Sequence, residues 1–364
     1  MDHPKNAYVR QAMFFLMLAI APFFYSCNNN TPEPDGSTTT PPGSGTATTP
    51  GSGTSTNPGS GTSTNPGSGT STTPGNGTVV VVSAVDYISQ KDNLNFLEAA
   101  IKAAGLTSEF NKNPNTIFAP SDDAFKAAGY ASEAAVSSAP AADLQRILRY
   151  HLVGSRIDQS AIPTRVNTEY QTTLANNQVS VYKASMTDIS VNQAKIIQGD
   201  LPTTNGVLHI INQVLIPATV NLASAVKNNT NLTFLAAAVE RAGSSVQDVL
   251  NGASQNGYTL FAPTNDAFKA AGYASIDSIK VADQKKISDL LLYHVLKYRA
   301  YATTFQSGAD IVTAQGASIR TNVSNGKVTI TGKGNGANVA NVTQADQTAS
   351  NGVIHVIDRV LLSQ

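Results

Sequence analysis

The chain has 364 residues, a length that suggests about two domains, and its 24 basic and 24 acidic side chains leave no net charge. Residues 78–217 hold 10 Lys/Arg against 12 Asp/Glu and residues 218–364 hold 12 against 9, so neither half offers a phosphate-tracking surface and nucleic acid is excluded as a partner. Cys27 is the single cysteine; no intrachain disulfide can form, and each folded unit of about 140 residues must rest on its apolar core.

The N-terminus reads as a secretory leader. Lys5 and Arg10 precede an apolar run over residues 12–25, too short for the ~20 residues of a membrane-spanning helix. Ser26-Cys27 and a polar run follow. This resembles the cleavage box of bacterial lipoproteins, although Phe24 and Tyr25 stand where that box usually has Leu and a small residue. The resemblance implies a signal peptide over 1–26 and lipidation at Cys27. Two or three acyl chains there would hold the protein stably on a membrane, whereas one would not. The other reading is cleavage near Ser26 and a secreted protein with a free thiol.

Over 28–77 the chain is almost entirely Thr, Ser, Pro, Gly and Asn, with Pro42, Pro50, Pro58, Pro66 and Pro74 each opening a Pro-Gly-(Ser/Asn)-Gly-Thr unit. Such a segment has no apolar periodicity with which to build a core. It reads as a flexible tether with an r.m.s. span of roughly 40 Å. Residues 27–77 are thus taken as attachment site and linker, 78–217 as a first domain and 218–364 as a second.

The division rests on a repeat. Thr116-Ile117-Phe118-Ala119-Pro120-Ser121-Asp122-Asp123-Ala124-Phe125-Lys126 returns as Thr259-Leu260-Phe261-Ala262-Pro263-Thr264-Asn265-Asp266-Ala267-Phe268-Lys269. The pattern predicts a strand, a proline turn and a helix capped by Ser121 or Thr264, with Asp123 and Asp266 near the positive end of the helix dipole. Upstream, Leu94, Leu97 and Ile101 fall at 0, 3, 7, as do Leu232, Leu235 and Val239: each copy is expected to open with a helix burying that stripe. Downstream, Leu144, Ile147, Leu148 and His151 fall at 0, 3, 4, 7, and Ile287, Leu290, Leu291 and His294 repeat them, each copy ending in Tyr-His. Residues 178–183 and 327–331 then alternate apolar with polar, after the turn signals Asn176-Asn177 and Asn325-Gly326. A closing box, Asn205-Gly206-Val207-Leu208-His209-Ile210-Ile211, is matched by Asn351-Gly352-Val353-Ile354-His355-Val356-Ile357 and reads as a strand covered on both faces. Clustered helices before antiparallel strands mean α+β. The join over residues 217–221 is so short that the two domains are expected to touch.

Together the Thr-x-Phe-Ala-Pro box, the Tyr-His pair and the Asn-Gly-Val-x-His box resemble the fasciclin-type domain, an extracellular module of adhesion and matrix proteins. All three occur twice and in order. The resemblance implies two wedge-like β-sandwiches with helices packed at one side, a role in adhesion or recognition rather than catalysis, and no cofactor. Phe118, Pro120, His151 and His209, with Phe261, Pro263, His294 and His355, are its structural positions. Integrin-binding peptides of animal members have no counterpart here.

Four of the five histidines lie in the repeated boxes, which makes them the natural enzymatic or metal lead. Within a copy they are 58 or 61 residues apart with no repeated carboxylate or cysteine beside them, so buried, locally hydrogen-bonded imidazoles are expected instead. Tyr150 and Tyr293 are expected to point off the histidine stripe, partly exposed, as candidate recognition residues. The whole reads as a lipid-tethered module, secreted across an inner membrane and displayed on the outer membrane or cell surface, that binds an extracellular protein or polysaccharide. A secreted hydrolase using the histidines and a passive stalk are the rivals.

Overall fold

The computed structural model describes residues 81–364; the leader, Cys27 and the Thr/Ser/Pro/Gly tract lie outside the described residues. The first domain begins with helices α1 (Ala84–Ser89), α2 (Asn95–Ala104) and α3 (Thr107–Phe110), then strand β1 (Asn115–Pro120). Helices α4 (Asp122–Ala127), α5 (Glu133–Ser137) and α6 (Ala141–Tyr150) come next. It closes with β2 (Leu152–Val153), β3 (Asn167–Gln171), β4 (Gln178–Ser185), β5 (Asp188–Val191), β6 (Ala194–Thr203) and β7 (Gly206–Ile211). The second domain repeats the plan: α7 (Leu222–Lys227), α8 (Thr233–Ala242), α9 (Ser244–Asn251), β8 (Tyr258–Pro263), α10 (Asn265–Ala270), α11 (Ile276–Lys280) and α12 (Gln284–Tyr293). Its remaining strands are β9 (Val295–Leu296), β10 (Ala309–Val312), β11 (Ser318–Ser324), β12 (Lys327–Gly332), β13 (Ala340–Ala349) and β14 (Gly352–Ile357). Among the described residues no helix is long and apolar enough to cross a membrane.

Each domain hydrogen-bonds its seven strands in one order, β2-β1-β7-β6-β5-β4-β3 and, read from the other end, β10-β11-β12-β13-β14-β8-β9. The α+β class and the wedge-like sandwich follow from how β1 and β7 are used. Ile117 and Ala119 of β1, with Leu208 and Ile210 of β7, pack against α2, α4 and α6. Phe118 and Ile211 point the other way, into a second core with Val179, Val181, Ile189 and Val191 of β4 and β5. Strand β6 makes the fold-over: Ala194 and Lys195 pair with β5, and from Ile196 onward the strand pairs with β7 through two register shifts. All six residues of β7 and of β14 are buried, as the two-faced apolar boxes require.

Local chemistry accounts for the element ends. Leu94, Leu97 and Ile101 are buried as predicted, and Gly105 closes α2 at φ 68°, where a side chain would be strained. Ser121 and Thr264 accept the amides of Ala124 and Ala267, each at 3.2 Å. Asn325 (φ 49°) and Gly326 (φ 73°) form the tight turn between β11 and β12.

Two expectations need correction. The helices at Leu94 and Leu232 do not open their domains: α1 and α7 precede them, each burying only two residues, too few for a periodicity to register. And β1 pairs with β7 in parallel, in register from Asn115 opposite Gly206 to Pro120 opposite Ile211, as β8 does with β14. The intervening helices and strands form the long crossover that a parallel pair needs.

The Asn-Gly of the closing box ties the start of each domain to its end. Asn205 accepts the Ala84 amide at 2.9 Å and donates to the carbonyls of Phe110 and Lys112. Asn351 does the same for Leu222, Leu250 and Gly252. Beside them a Cβ on Gly206 would stand 1.8 Å from the Asn115 carbonyl oxygen, and one on Gly352 2.4 Å from that of Tyr258. Only glycine lets the neighbouring strand come this close.

Candidate functional site

The box histidines are locked by backbone groups on both ring nitrogens. Helix α6 ends at Tyr150, and His151 caps it rather than continuing its stripe. Its Nδ1–H donates to the Ile147 carbonyl at 2.9 Å, and its Nε2 accepts the Leu215 amide at 2.9 Å. His294 repeats this with Leu290 (2.7 Å) and Leu361 (2.9 Å). The imidazole thus clamps the chain leaving the last strand to the helix end. Only the neutral Nδ1–H tautomer satisfies both bonds. Burial pulls the pKa of each from 6.5 to about 4, against a smaller opposing pull from the carbonyl.

His209 and His355 hold the opposite tautomer. Nε2–H donates to Ile157 O (2.8 Å) or Ala300 O (2.7 Å), while Nδ1 accepts the amide of Asp200 (3.1 Å) or Asp346 (3.3 Å). Burial lowers the pKa of both, with the Ile157 carbonyl and Asp200 pulling the other way on His209 and Asp346 on His355. A repeated carboxylate thus does stand beside these two histidines, contrary to expectation, nine residues before each. His209 stacks on Phe118 with ring centroids 5.8 Å apart, and His355 on Phe261 at 5.7 Å. The Phe118 and Phe261 amides donate to the carbonyls of His151 and His294. Pro120 and Pro263 end strands paired to the closing box. The three boxes therefore meet where the two cores of each domain share their central strands, and no box imidazole has a free nitrogen for proton transfer or a metal. Among the described residues no group of three His, Cys, Asp or Glu is placed to hold a metal ion.

Tyr150 and Tyr293 are not partly exposed. They are 6% and 0% exposed, because the helix end lies between two cores and its buried arc takes in the tyrosine as well as the histidine. Each hydroxyl ties the start of one strand to the residue just past the end of the next. Tyr150 donates to Gln178 O (3.0 Å) and accepts from Asn192 Nδ2 (3.1 Å); Tyr293 donates to Ser318 O (2.7 Å) and accepts the Lys333 amide (3.0 Å). Buried rings of this kind present no face to a ligand. Asp122 accepts the Phe96 amide at 2.9 Å, so it caps α2, a neighbouring helix, and Asn265 does so for α8 through Phe234. Asp123 and Asp266 pair with Lys126 and Lys269 one turn on.

The region that sequence reasoning missed is the seam between domains. The outer face of β3, β4 and β5 takes residues 298–306 of the second domain. Arg299 Nη1 donates to Glu169 Oε2 at 3.2 Å and Nη2 to Ser350 O at 3.0 Å, with side chains only 8% and 7% exposed. Asn167 Nδ2 donates to Arg299 O (2.7 Å), Ser190 and Thr303 share a hydroxyl bond (3.1 Å), and Gln306 Nε2 donates to the Tyr182 hydroxyl (2.9 Å). Ser180 also donates to Glu169. Burial raises the Glu169 pKa, while Arg299 and the Ser180 hydroxyl hold the carboxylate form. The domains touch, as the short join led one to expect. Along the seam runs a groove of about 450 Å³, lined by Arg165, Asn167, Tyr182, Tyr298 and Gln306 among others. Asn167 Oδ1, buried there, has no hydrogen-bond partner.

A family model described as "Fasciclin domain" matches residues 92–217 and again 230–363. The chain belongs to the fasciclin family. Transforming growth factor-beta-induced protein ig-h3 of the pig is 30% identical over 249 residues, 68% of this chain and 34% of that protein. The chain thus spans about a third of that relative's length. Protein sll1483 of the cyanobacterium Synechocystis is 31% identical over 49% of this chain and 92% of its own length. A solved FAS1 domain pair from the insect cell adhesion molecule fasciclin I aligns at 21% identity over 73% of this chain and 95% of that one, with a TM-score of 0.37.

Proposed function

We propose that this fasciclin-domain pair is a non-enzymatic adhesion module of a bacterial surface lipoprotein, tethered through Cys27 and binding an extracellular protein or polysaccharide. The observation that carries this reading is the state of the box histidines. The residues that best suited catalysis are all closed off by backbone hydrogen bonds inside cores, so what the domains offer a partner is surface. Family membership supports the same reading, since fasciclin-type domains are modules of extracellular adhesion and matrix proteins. The seam groove, with half-exposed Tyr298, three side-chain amides and the orphaned Asn167 oxygen, is the first surface to examine for a partner. Binding to a glycan array and to immobilised matrix proteins tests the recognition; the reading predicts a reproducible ligand, and silence across both surveys returns the protein to a passive stalk. The anchor is tested by mass spectrometry of the mature N-terminus, where an unmodified Cys27 or a start at Ser26 refutes it.

A further inference from the structure

The seam between the domains is head-to-tail, not two-fold. Residues 298–306 of the second domain dock on the outer face of the first domain's sheet. Each domain carries both surfaces, so one of each is left unused: residues 156–162 of the first domain and the outer face of β10, β11 and β12 in the second. We propose that these two free surfaces engage each other between copies of this chain, repeating across molecules the contact that joins the domains within one. This goes beyond the binding of a foreign partner and does not depend on it.

The repeat fixes the correspondence. Arg156 lies five residues after His151, as Arg299 does after His294, and Ser160 and Thr303 each lie nine after. Gln178 O and Ser318 O accept the equivalent tyrosine hydroxyls, so the strands align there. Two residues on are Ser180 and Arg320, and opposite them stand Glu169 and Asp310. Thr329, opposite Asn322, takes the place of Ser190 opposite Tyr182. The internal pairs Arg299–Glu169 and Thr303–Ser190 thus have free counterparts of the same chemistry, Arg156 with Asp310 and Ser160 with Thr329.

The shape agrees. In the first domain the hollow beside Gln178 is filled by Arg299 and Tyr301 of the second, leaving about 10 Å³. In the second domain the corresponding hollow, lined by Asp310, Ala317, Ser318 and Arg320, is open at about 490 Å³.

The charges agree as well. Arg156 is paired with Asp158 at 2.7 Å and also donates to the Gly206 carbonyl, and Arg320 is paired with Asp310 at 3.7 Å; Arg156, Asp310 and Arg320 are exposed and Asp158 is half-buried. Asp158 stands where the second domain has Tyr301, and Arg320 where the first has Ser180. Docking brings a plus–minus pair onto a minus–plus pair: Arg156 meets Asp310, and Asp158 offsets the extra charge of Arg320. Exposed ion pairs exchange partners at little cost. Two internal bonds are not reproduced: Gly308 stands where Asn167 donates to the Arg299 carbonyl, and Pro163 and Asn322 replace Gln306 and Tyr182. The contact between copies is accordingly weaker than the internal one, which also has the high effective concentration of a short join. A heterologous contact of this kind builds rings or open chains rather than closed dimers.

Sedimentation velocity on the full chain at increasing concentration tests this, with Arg156→Glu and Asp310→Ala as variants whose far-UV circular dichroism must match the parent. The parent is expected to pass beyond dimer as concentration rises, and to dissociate with added salt. Each variant alone, lacking one surface, should bind itself at least tenfold more weakly. A 1:1 mixture of the two should form dimers and stop there, since the Arg156 surface of one meets the Asp310 surface of the other and nothing remains to extend. A parent that stays monomeric overturns the proposal. So does association that survives both substitutions, as association through the apolar leader would, or a mixture that behaves as the sum of its parts.

Discussion

Lowering the pH from about 7 to about 5 tests the histidine clamp directly. In the fold, His151 and His294 are neutral: a second proton on Nε2 would face the Leu215 or Leu361 N–H, lose that bond and place a charge in the core. Their pKa is about 4 when folded, against an ordinary 6.5 once the chain is unfolded. The unfolded chain therefore takes up protons first, and stability falls as the pH drops. The contribution is complete above about 6.5, erodes through the window down to about 4, and is gone below it. At about 1.4 kcal/mol per pH unit between the two values, each clamp loses roughly 2 kcal/mol by pH 5 and roughly 3 kcal/mol by pH 4. His209 and His355, also depressed by burial, add in the same direction. Glu169 and Asp346, whose carboxyls burial raises, work oppositely: their contribution is recovered as the pH falls, and it offsets part of the loss.

Urea unfolding followed by circular dichroism reads the net effect. With a slope of about 2 kcal/mol per M, a loss of 2 kcal/mol per domain lowers the midpoint by about 1 M between pH 7 and pH 5. Imidazole proton resonances of the folded protein separate the histidines from the carboxylates. We predict that those of His151 and His294 stay in the neutral form through pH 5. Titration of either near 6.5 in the folded state would falsify the clamp, whatever the urea midpoint did.

Three further predictions concern single contacts. Tyr150→Phe removes a hydroxyl and strands Gln178 O and Asn192 Nδ2 in a buried site; a loss of about 1–3 kcal/mol is expected by urea unfolding, and Tyr293→Phe should match it through Ser318 and Lys333. No loss in either would mean that water already serves these groups. Gly352→Ala places a methyl 2.4 Å from the Tyr258 carbonyl oxygen, so the parallel pair must separate and the second domain should fail to give a cooperative transition; a folded variant of unchanged melting temperature sinks the close-approach argument. Arg299→Ala leaves Glu169 buried without its cation, at a cost of about 3–5 kcal/mol. Arg299→Ala with Glu169→Gln should recover part of it, and a double variant no better than the single one would show that the pair is not the coupling unit.

What the sequence made legible is what local chemistry decides. The stripe at Leu94, Leu97 and Ile101, the Ser121 and Thr264 caps and the two-faced strands at Val207 and Val353 each follow from the spacing of a few neighbouring residues, and the structure keeps them. The histidines were legible as buried because each fell on an apolar stripe or inside an apolar strand. The tyrosines were not, because a helical wheel places Tyr150 about 100° from His151 and says nothing about whether a second core waits on that side. Asp122 opens α4 in the sequence; that its carboxylate caps α2 instead depends on where a helix 26 residues upstream ends up. The parallel pairing of β1 with β7 is likewise a property of the crossover.

The seam lies furthest from local pattern, since Arg299 and Glu169 are 130 residues apart in different copies. A comparison of the copies nevertheless contains a trace of it. Where the boxes agree almost letter for letter, the residues outside them differ in one consistent way. Glu169, Ser180 and Ser190 on the engaged face carry one carboxylate and two hydroxyls, with the arginine supplied by the partner domain. The unengaged face puts Arg320 beside Asp310, and the unengaged segment puts Asp158 beside Arg156, so that each charge has a companion of its own. A buried carboxylate and guanidinium must be paired with each other; exposed ones need only be balanced. The same fold therefore presents a surface closed by its neighbour in one copy and a surface kept soluble by its own ion pairs in the other. That difference is why a contact between copies would be sensitive to salt, while the buried pair within the chain is screened far less.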